Sequence, residues 1–185
     1  MSTDIDICNE GLLYVGANQI SAFTDSAREA EVSAALYPTA RDGLLQANPW
    51  FFTLKKVELA RTTVTPEFDY SYQYQLPTDM LRFIRKNTPR NDYQLFEDKL
   101  ETNDSSVQVI YQYDPGESNY PAYFSGALSM EMAKRYSAAL LQDDTQIKIW
   151  EALAAKELIR AKNIDAQHNP PFAIPANEFP LTAVR

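Results

Sequence analysis

The sequence predicts an α+β fold in which an α-helical bundle, built from both ends of the chain, carries an inserted antiparallel sheet or small barrel. Three observations predict it. Apolar residues recur at helical spacing up to about residue 48, the period changes to two between residues 68 and 113, and helical spacing returns from residue 121. The resulting boundaries are 1–50 and 118–168 for the bundle, 51–117 for the β-domain and 169–185 for an extended C-terminal arm.

The first helix is legible from its ends. Thr3 and Asp6 have capping-box spacing, Gly16 sits where a left-handed stop is cheap, and Ile5, Cys8, Leu12 and Val15 line one face between them. A second helix is expected from Asp25 or Ser26. Its small residues Ala27, Ala30 and Ala34 fall at helical spacing and would let a neighbouring helix approach closely. Pro38 predicts a kink there, or a break into two short helices, with the end at Asn48-Pro49.

Phe68, Tyr70, Tyr72, Tyr74 and Leu76 alternate with polar residues, as do Val107, Val109, Tyr111 and Tyr113, the pattern of strands with one buried and one wet face. Further strands are expected at Phe51 to Leu59, Arg82 to Lys86 and Tyr93 to Glu97. Turns are marked by Pro66, Leu76-Pro77-Thr78-Asp79, Pro89-Arg90-Asn91-Asp92 and Asn103-Asp104-Ser105. After Asp114-Pro115-Gly116-Glu117, Phe124, Leu128, Met132, Tyr136 and Leu140 form an i, i+4 ridge. Asp143-Asp144 caps a last long helix with Ile147, Trp150, Ala154, Leu158 and Ala161 on its inner side, ending near Gln167 and antiparallel to its predecessor. Beyond it the prolines at 170, 171, 175 and 180 space out Phe172, Ile174, Phe179 and Leu181, which reads either as a strap on the parent domain or as an arm for a partner chain.

The chain has 185 residues, 45% of them apolar and 23% charged, enough to bury a core without disulfides. Its lone Cys8 cannot pair internally, and metal clusters built on cysteine are excluded. A net charge of −8 argues against tight binding to nucleic acid, which needs clustered Lys and Arg. No stretch reaches the roughly 18 apolar residues of a membrane span, and no leader-like run opens the chain, so synthesis in the cytoplasm is expected.

Catalytic chemistry lacks its usual suppliers, and no catalytic, cofactor-binding or metal-binding residue is assigned. His168, the one histidine, reads as a helix-end residue; Cys8 reads as a small core hydrophobe; Asp143-Asp144 reads as a cap. The scattered glycines form no phosphate cradle. Tyr70, Tyr72 and Tyr74 could stack on bases, but a base-stacking platform comes with a basic groove, and packing in a core or interface fits an acidic chain better.

Several stretches in order carry a resemblance. They are Ile7-Cys8-Asn9-Glu10-Gly11-Leu12-Leu13, Val15-Gly16-Ala17, Ile20-Ser21-Ala22-Phe23, then Leu36-Tyr37-Pro38, Arg41-Asp42-Gly43-Leu44-Leu45 and Asn48-Pro49-Trp50-Phe51. Tyr74-Gln75-Leu76-Pro77-Thr78-Asp79-Met80-Leu81-Arg82, Val109-Ile110-Tyr111 and Tyr120-Pro121-Ala122-Tyr123-Phe124 continue the series. Together, across residues 5 to 165, they resemble tail tubular protein A and related head-to-tail adaptors of tailed phages. Gly11 and Gly43 depart from that pattern, standing where it has helix-favouring residues.

The resemblance implies a structural, non-enzymatic neck protein of the virion, made in the bacterial host and assembled as a twelve-fold ring between portal and distal tail nozzle or tube. It implies that the bundle packs side by side around the ring, with Ala27, Ala30 and Ala34 as candidate subunit contacts. The sheet domain, with Tyr70, Tyr72 and Tyr74, would face the distal tail protein, and Phe172, Ile174, Phe179 and Leu181 would reach the portal. An acidic lumen would let DNA pass without holding it. The alternative readings are a stand-alone module that binds a tail-tip or host factor through the tyrosine-rich sheet, and a small hydrolase.

Overall fold

The computed structural model describes residues 2–87, 92–141 and 143–168, and its architecture is mixed α+β. The expected arm, 169–185, lies outside the described residues. Helix α1 spans Asp4–Tyr14, and its capping box is complete: Thr3 Oγ1 accepts from the Asp6 amide at 3.1 Å while Asp6 Oδ2 accepts from the Thr3 amide at 2.9 Å. Gly16, at φ 72°, turns the chain away. Ile7, Cys8, Gly11 and Leu12 are the buried face.

Helix α2 spans Arg28–Gln46, later than expected. The reason is local: Asp25 spends its carboxylate on the Ser21 and Ala22 amides, at 2.8 and 3.0 Å, so it shapes the loop before the helix instead of capping it. Ala27 occupies the cap position with no side-chain bond. Pro38 sits inside one continuous helix rather than between two.

A 3-10 turn, Phe51–Thr53, leads into the β-part. Strands β1 (Leu54–Glu58), β6 (Gln108–Gln112) and β3 (Arg82–Lys86) form one antiparallel sheet in that order; β2 (Tyr72–Gln75), β5 (Lys99–Thr102) and β4 (Tyr93–Phe96) form a second. The chain after β1 sews them together. Leu59 donates to Val107 O at 2.9 Å on the first sheet, while Ala60 O and the Thr62 amide bond Gln75 and Gln73 on the second, at 3.1 and 2.8 Å. Leu59, Tyr74, Leu76, Leu100, Val107, Val109 and Tyr111 fill the core between.

Three details correct the strand reading. The segment expected from Phe68 to Leu76 pairs only over Tyr72–Gln75, because Asp69 at φ 59° reverses the backbone just before it. Strand β5 has no counterpart among the expected strands; it closes a hairpin on β4 through Glu97-Asp98, with Glu97 at φ 53°. From Val109 to Gln112 strand β6 is buried on both faces: Val109 and Tyr111 enter the β-core, and Gln112 on the other face is tied to the helical part.

Helix α3 (Ala122–Tyr136) continues through a π-helical turn, Ser137–Leu141, and helix α4 spans Asp144–Gln167. Asp143 Oδ1 caps α4 by accepting from the Thr145 and Gln146 amides at 2.8 and 3.3 Å. Tyr123 in the first turn of α3 donates to Asp165 in the last turn of α4, at 2.7 Å, so the pair is antiparallel. Phe124, Leu128, Met132 and Tyr136 are fully buried, and Ala154 and Ala161 face them from α4.

At Gly11 helix α1 packs tightly against α3. A Cβ there would stand 3.0 Å from Met132 Cβ and 3.0 Å from the Ser129 carbonyl. Its departure from the resembled pattern is thus a helix-crossing contact. Gly43 has nothing within 4 Å of the equivalent position.

Two buried polar side chains fasten the helical part to the β-part. Gln112 Nε2 donates to the Leu45 and Asn48 carbonyls at 2.7 and 3.0 Å, and Asp165 accepts from the Phe51 amide at 2.9 Å. Arg41 reaches Glu117 at 3.2 Å, bracing the second crossover from outside.

Candidate functional site

The residues weighed for chemistry occupy distinct places in the helical part. Cys8 is fully buried, and burial pushes its thiol up to about 11, with Tyr136 as its hydrogen-bond partner. The Tyr136 hydroxyl also meets Ser33 Oγ at 2.6 Å, and burial drives its ionisation well above the ordinary tyrosine range. His168 caps α4 and stacks its ring against Phe51 and Tyr123, with centroids 6.4 and 6.2 Å apart. Among the described residues no group of three or more His, Cys, Asp or Glu is placed to hold a metal ion, and no helix is long and apolar enough to cross a membrane.

The surface candidates fare unevenly. Ala30 is fully buried in its own core, whereas Ala27 and Ala34 are exposed, so the three do not share one open face. Tyr74 is 1% exposed and donates to the Asp104 carbonyl at 2.8 Å; Tyr72 packs against the same core, with Arg61 4.0 Å above its ring. Tyr70 is half-buried, just outside β2. The alternation therefore marks an inner face. Phe172, Ile174, Phe179 and Leu181 lie outside the described residues.

Three other exposed surfaces stand out. On α4, Ile149, Leu153 and Ile159 are 46%, 40% and 61% exposed, on the arc that runs from the flank of the Ala154–Ala161 face round to the far side. Helical geometry places Lys156 and Arg160 on the same outer arc, which among the described residues carries two cations and no carboxylate. Arg160 leans 3.3 Å from Glu157 at its margin.

On α2 the exposed residues Glu31, Ala34, Ala35, Pro38 and Asp42 form a second arc, small-residued and acidic. Arg28, at its edge, turns its guanidinium onto the Ala139 carbonyl at 3.2 Å. Arg41 pairs with Asp42 at 2.9 Å, so Glu31 is the less compensated anion.

The third surface lies on the outer face of the β2-β5-β4 sheet. Gln73 and Glu101 there floor a groove of about 420 Å³ beneath the loop that carries Val64, Pro66 and Phe68, with Phe96 at its rim. Phe68 is 77% exposed and Val64 61%. The outer arc of α4 escapes a periodicity reading because one helical stripe, the inner one, already accounts for the helix; Ile149, Leu153 and Ile159 form a second stripe and are the available signal. A scan against protein-family models finds no match for this chain, and a search of the curated proteins finds none either.

Proposed function

We propose that the chain is a structural neck subunit of a tailed phage, a head-to-tail adaptor that assembles into a ring, twelve-fold by resemblance, between the portal and the distal tail nozzle or tube. A closed ring of identical chains needs two different, complementary surfaces on each subunit. The observation that carries the reading is the pair of exposed arcs on α2 and α4: one small and acidic, the other apolar and cationic. Small side chains on α2 would let the bulky Ile149 and Leu153 of the next copy approach its backbone, with Lys156 and Arg160 meeting Glu31 and Asp42. The ordered stretches from residue 5 to 165 supply the phage context, and the excess of carboxylates suits a lumen through which DNA slides without specific binding.

The distal tail contact moves from Tyr70, Tyr72 and Tyr74 to the groove under Val64 and Phe68, since Tyr74 is spent in the core. That same groove supports the second reading, a stand-alone module that binds a tail-tip or host factor through its β-part. Phe172, Ile174, Phe179 and Leu181 remain the candidates for portal contact.

The test is a charge swap scored by ring formation on portal particles. Lys156→Glu with Arg160→Glu is expected to abolish rings, and adding Glu31→Lys with Asp42→Lys in the same chain is expected to restore them. Rings indifferent to the α4 reversal would overturn the α4–α2 contact. A wild-type chain that stays monomeric on portal particles would overturn the adaptor reading itself.

A further inference from the structure

The two sheets end in four strand edges, β1 and β3 on one, β2 and β4 on the other. An edge strand presents a row of unpaired amides and carbonyls, and folded chains blunt such rows with charge, irregularity or cover. Three of the four edges are treated in this way. Exposed Lys55, Lys56 and Glu58 stud β1, while β3 carries exposed Arg82 and Arg85 and a register shift between Phe83 and Arg85. The edge of β2 is covered by the chain itself: Thr62 donates to Gln73 O at 2.8 Å, Gln75 donates to Ala60 O at 3.1 Å, and Arg61 bridges Tyr74.

Strand β4 has none of these devices. Tyr93-Gln94-Leu95-Phe96 is without charge or proline and pairs with β5 in unbroken register on its other side. Among the described residues no strand pairs with its outer edge. Leu95 is 41% and Phe96 58% exposed there, and Leu95 stands outside the β-core.

The register tells what fits. Gln73, Glu101 and Gln94 form one row across the outer face and Gln75, Lys99 and Phe96 the next, while Tyr74, Leu100 and Leu95 share the inner face. A strand added about 4.8 Å beyond β4 would set alternate side chains against Tyr93 and Leu95 on the inside, and against Gln94 and Phe96 on the outside. The inner positions call for apolar residues. On the outside, the charged lining of the neighbouring groove is Glu67, Glu97 and Glu101 against Lys99 alone, and Asp92 and Glu97-Asp98 bracket the strand. A long basic side chain there covers Phe96 with its stem and brings its head to those carboxylates. A second copy of β4 fits badly, because antiparallel self-pairing that matches Tyr93 with Phe96 sets Asp92 opposite Glu97.

We infer that the free edge of β4 is a strand-addition site for an extended segment of another protein, one in which apolar and basic residues alternate. Backbone pairing supplies the affinity, and the acidic surround selects the sign of the partner. The inference deepens the reading of the adjoining groove as the distal contact, and rests on it for the partner's identity but not for the site.

The test uses the full-length chain without portal and a capped octapeptide of alternating lysine and valine. This probe is expected to slow amide exchange in β4 by about tenfold or more while the amides of β1 exchange as before. Leu95→Lys, which places a guarding cation on the edge outside the core, is expected to remove that protection. Unchanged exchange in β4 with the probe would overturn the inference, and so would equal protection by a peptide of alternating glutamate and valine. Protection that appears without peptide and grows with chain concentration would assign the edge to a second copy and overturn it as well. Either failure leaves ring formation on portal particles, and with it the adaptor reading, as it stood.

Discussion

The helical part and the β-part bury their cores by different means. In the helical part Trp50, Phe52, Tyr120 and Phe124 lock together edge to face, with Phe124 centred 4.8 to 5.2 Å from the other three rings, and the polar groups buried there are neutral hydroxyls such as the Ser33–Tyr136 pair. In the β-part a charge is enclosed. Lys86 has a side chain with no exposed surface, and its Nζ donates to Thr102 Oγ1 and the Asp92 carbonyl, each at 3.2 Å, and pairs with Asp104. One part is held by packing; the other depends on a complete set of acceptors around a buried ammonium, which costs heavily if any member is lost.

The contrast breaks first at Phe124. Replacing it by Ala should cost about 3–5 kcal/mol, the ordinary penalty for emptying a packed aromatic site. Urea unfolding followed by tryptophan emission reports it, because Trp50 and Trp150 both belong to the helical part. A loss below about 1 kcal/mol would mean the aromatic cluster is not the keystone described.

Lys86→Ala comes next. It removes the ion pair with Asp104 and should cost about 3 kcal/mol, the low end for a broken buried pair because Asp104 keeps a third of its side chain in water. Amide exchange should accelerate in β3, β5 and β6 while tryptophan emission holds. Uniform acceleration across α1 and α3 as well would erase the distinction between the two parts.

Two glycines sharpen the comparison within the helices. Gly11→Ala forces α1 from α3 and should cost about 1–3 kcal/mol, as overpacking does. Gly43→Ala meets nothing and should gain up to about 1 kcal/mol from helix propensity alone. Equal melting shifts for both would show that the α1–α3 crossing is looser than 3.0 Å contacts imply.

Legible in the sequence was whatever depends on neighbours in the chain. The Thr3–Asp6 box, the Asp143 cap and the Phe124-to-Tyr136 ridge all come from spacing. Strand β5 does not, because Lys99-Leu100-Glu101-Thr102 offers one apolar residue, and its turn, Glu97-Asp98, lacks the glycine or asparagine that usually marks a hairpin. Nor does the inward turn of Tyr72 and Tyr74: alternation tells which residues share a face, not which face meets the core. The burial of Lys86 is hidden for a related reason, since only the folded chain brings Asp92, Thr102 and Asp104 to it. The surfaces are the least legible, as exposed apolar residues on α4 acquire meaning only once its inner face is known.

Electron microscopy of the purified chain mixed with the portal protein of the same genome tests the central claim most directly. The account predicts a collar of regularly repeated subunits stacked on the portal, each laying α4 against α2 of its neighbour. A portal left bare, with the chain recovered as a monomer at the same concentration, would contradict it.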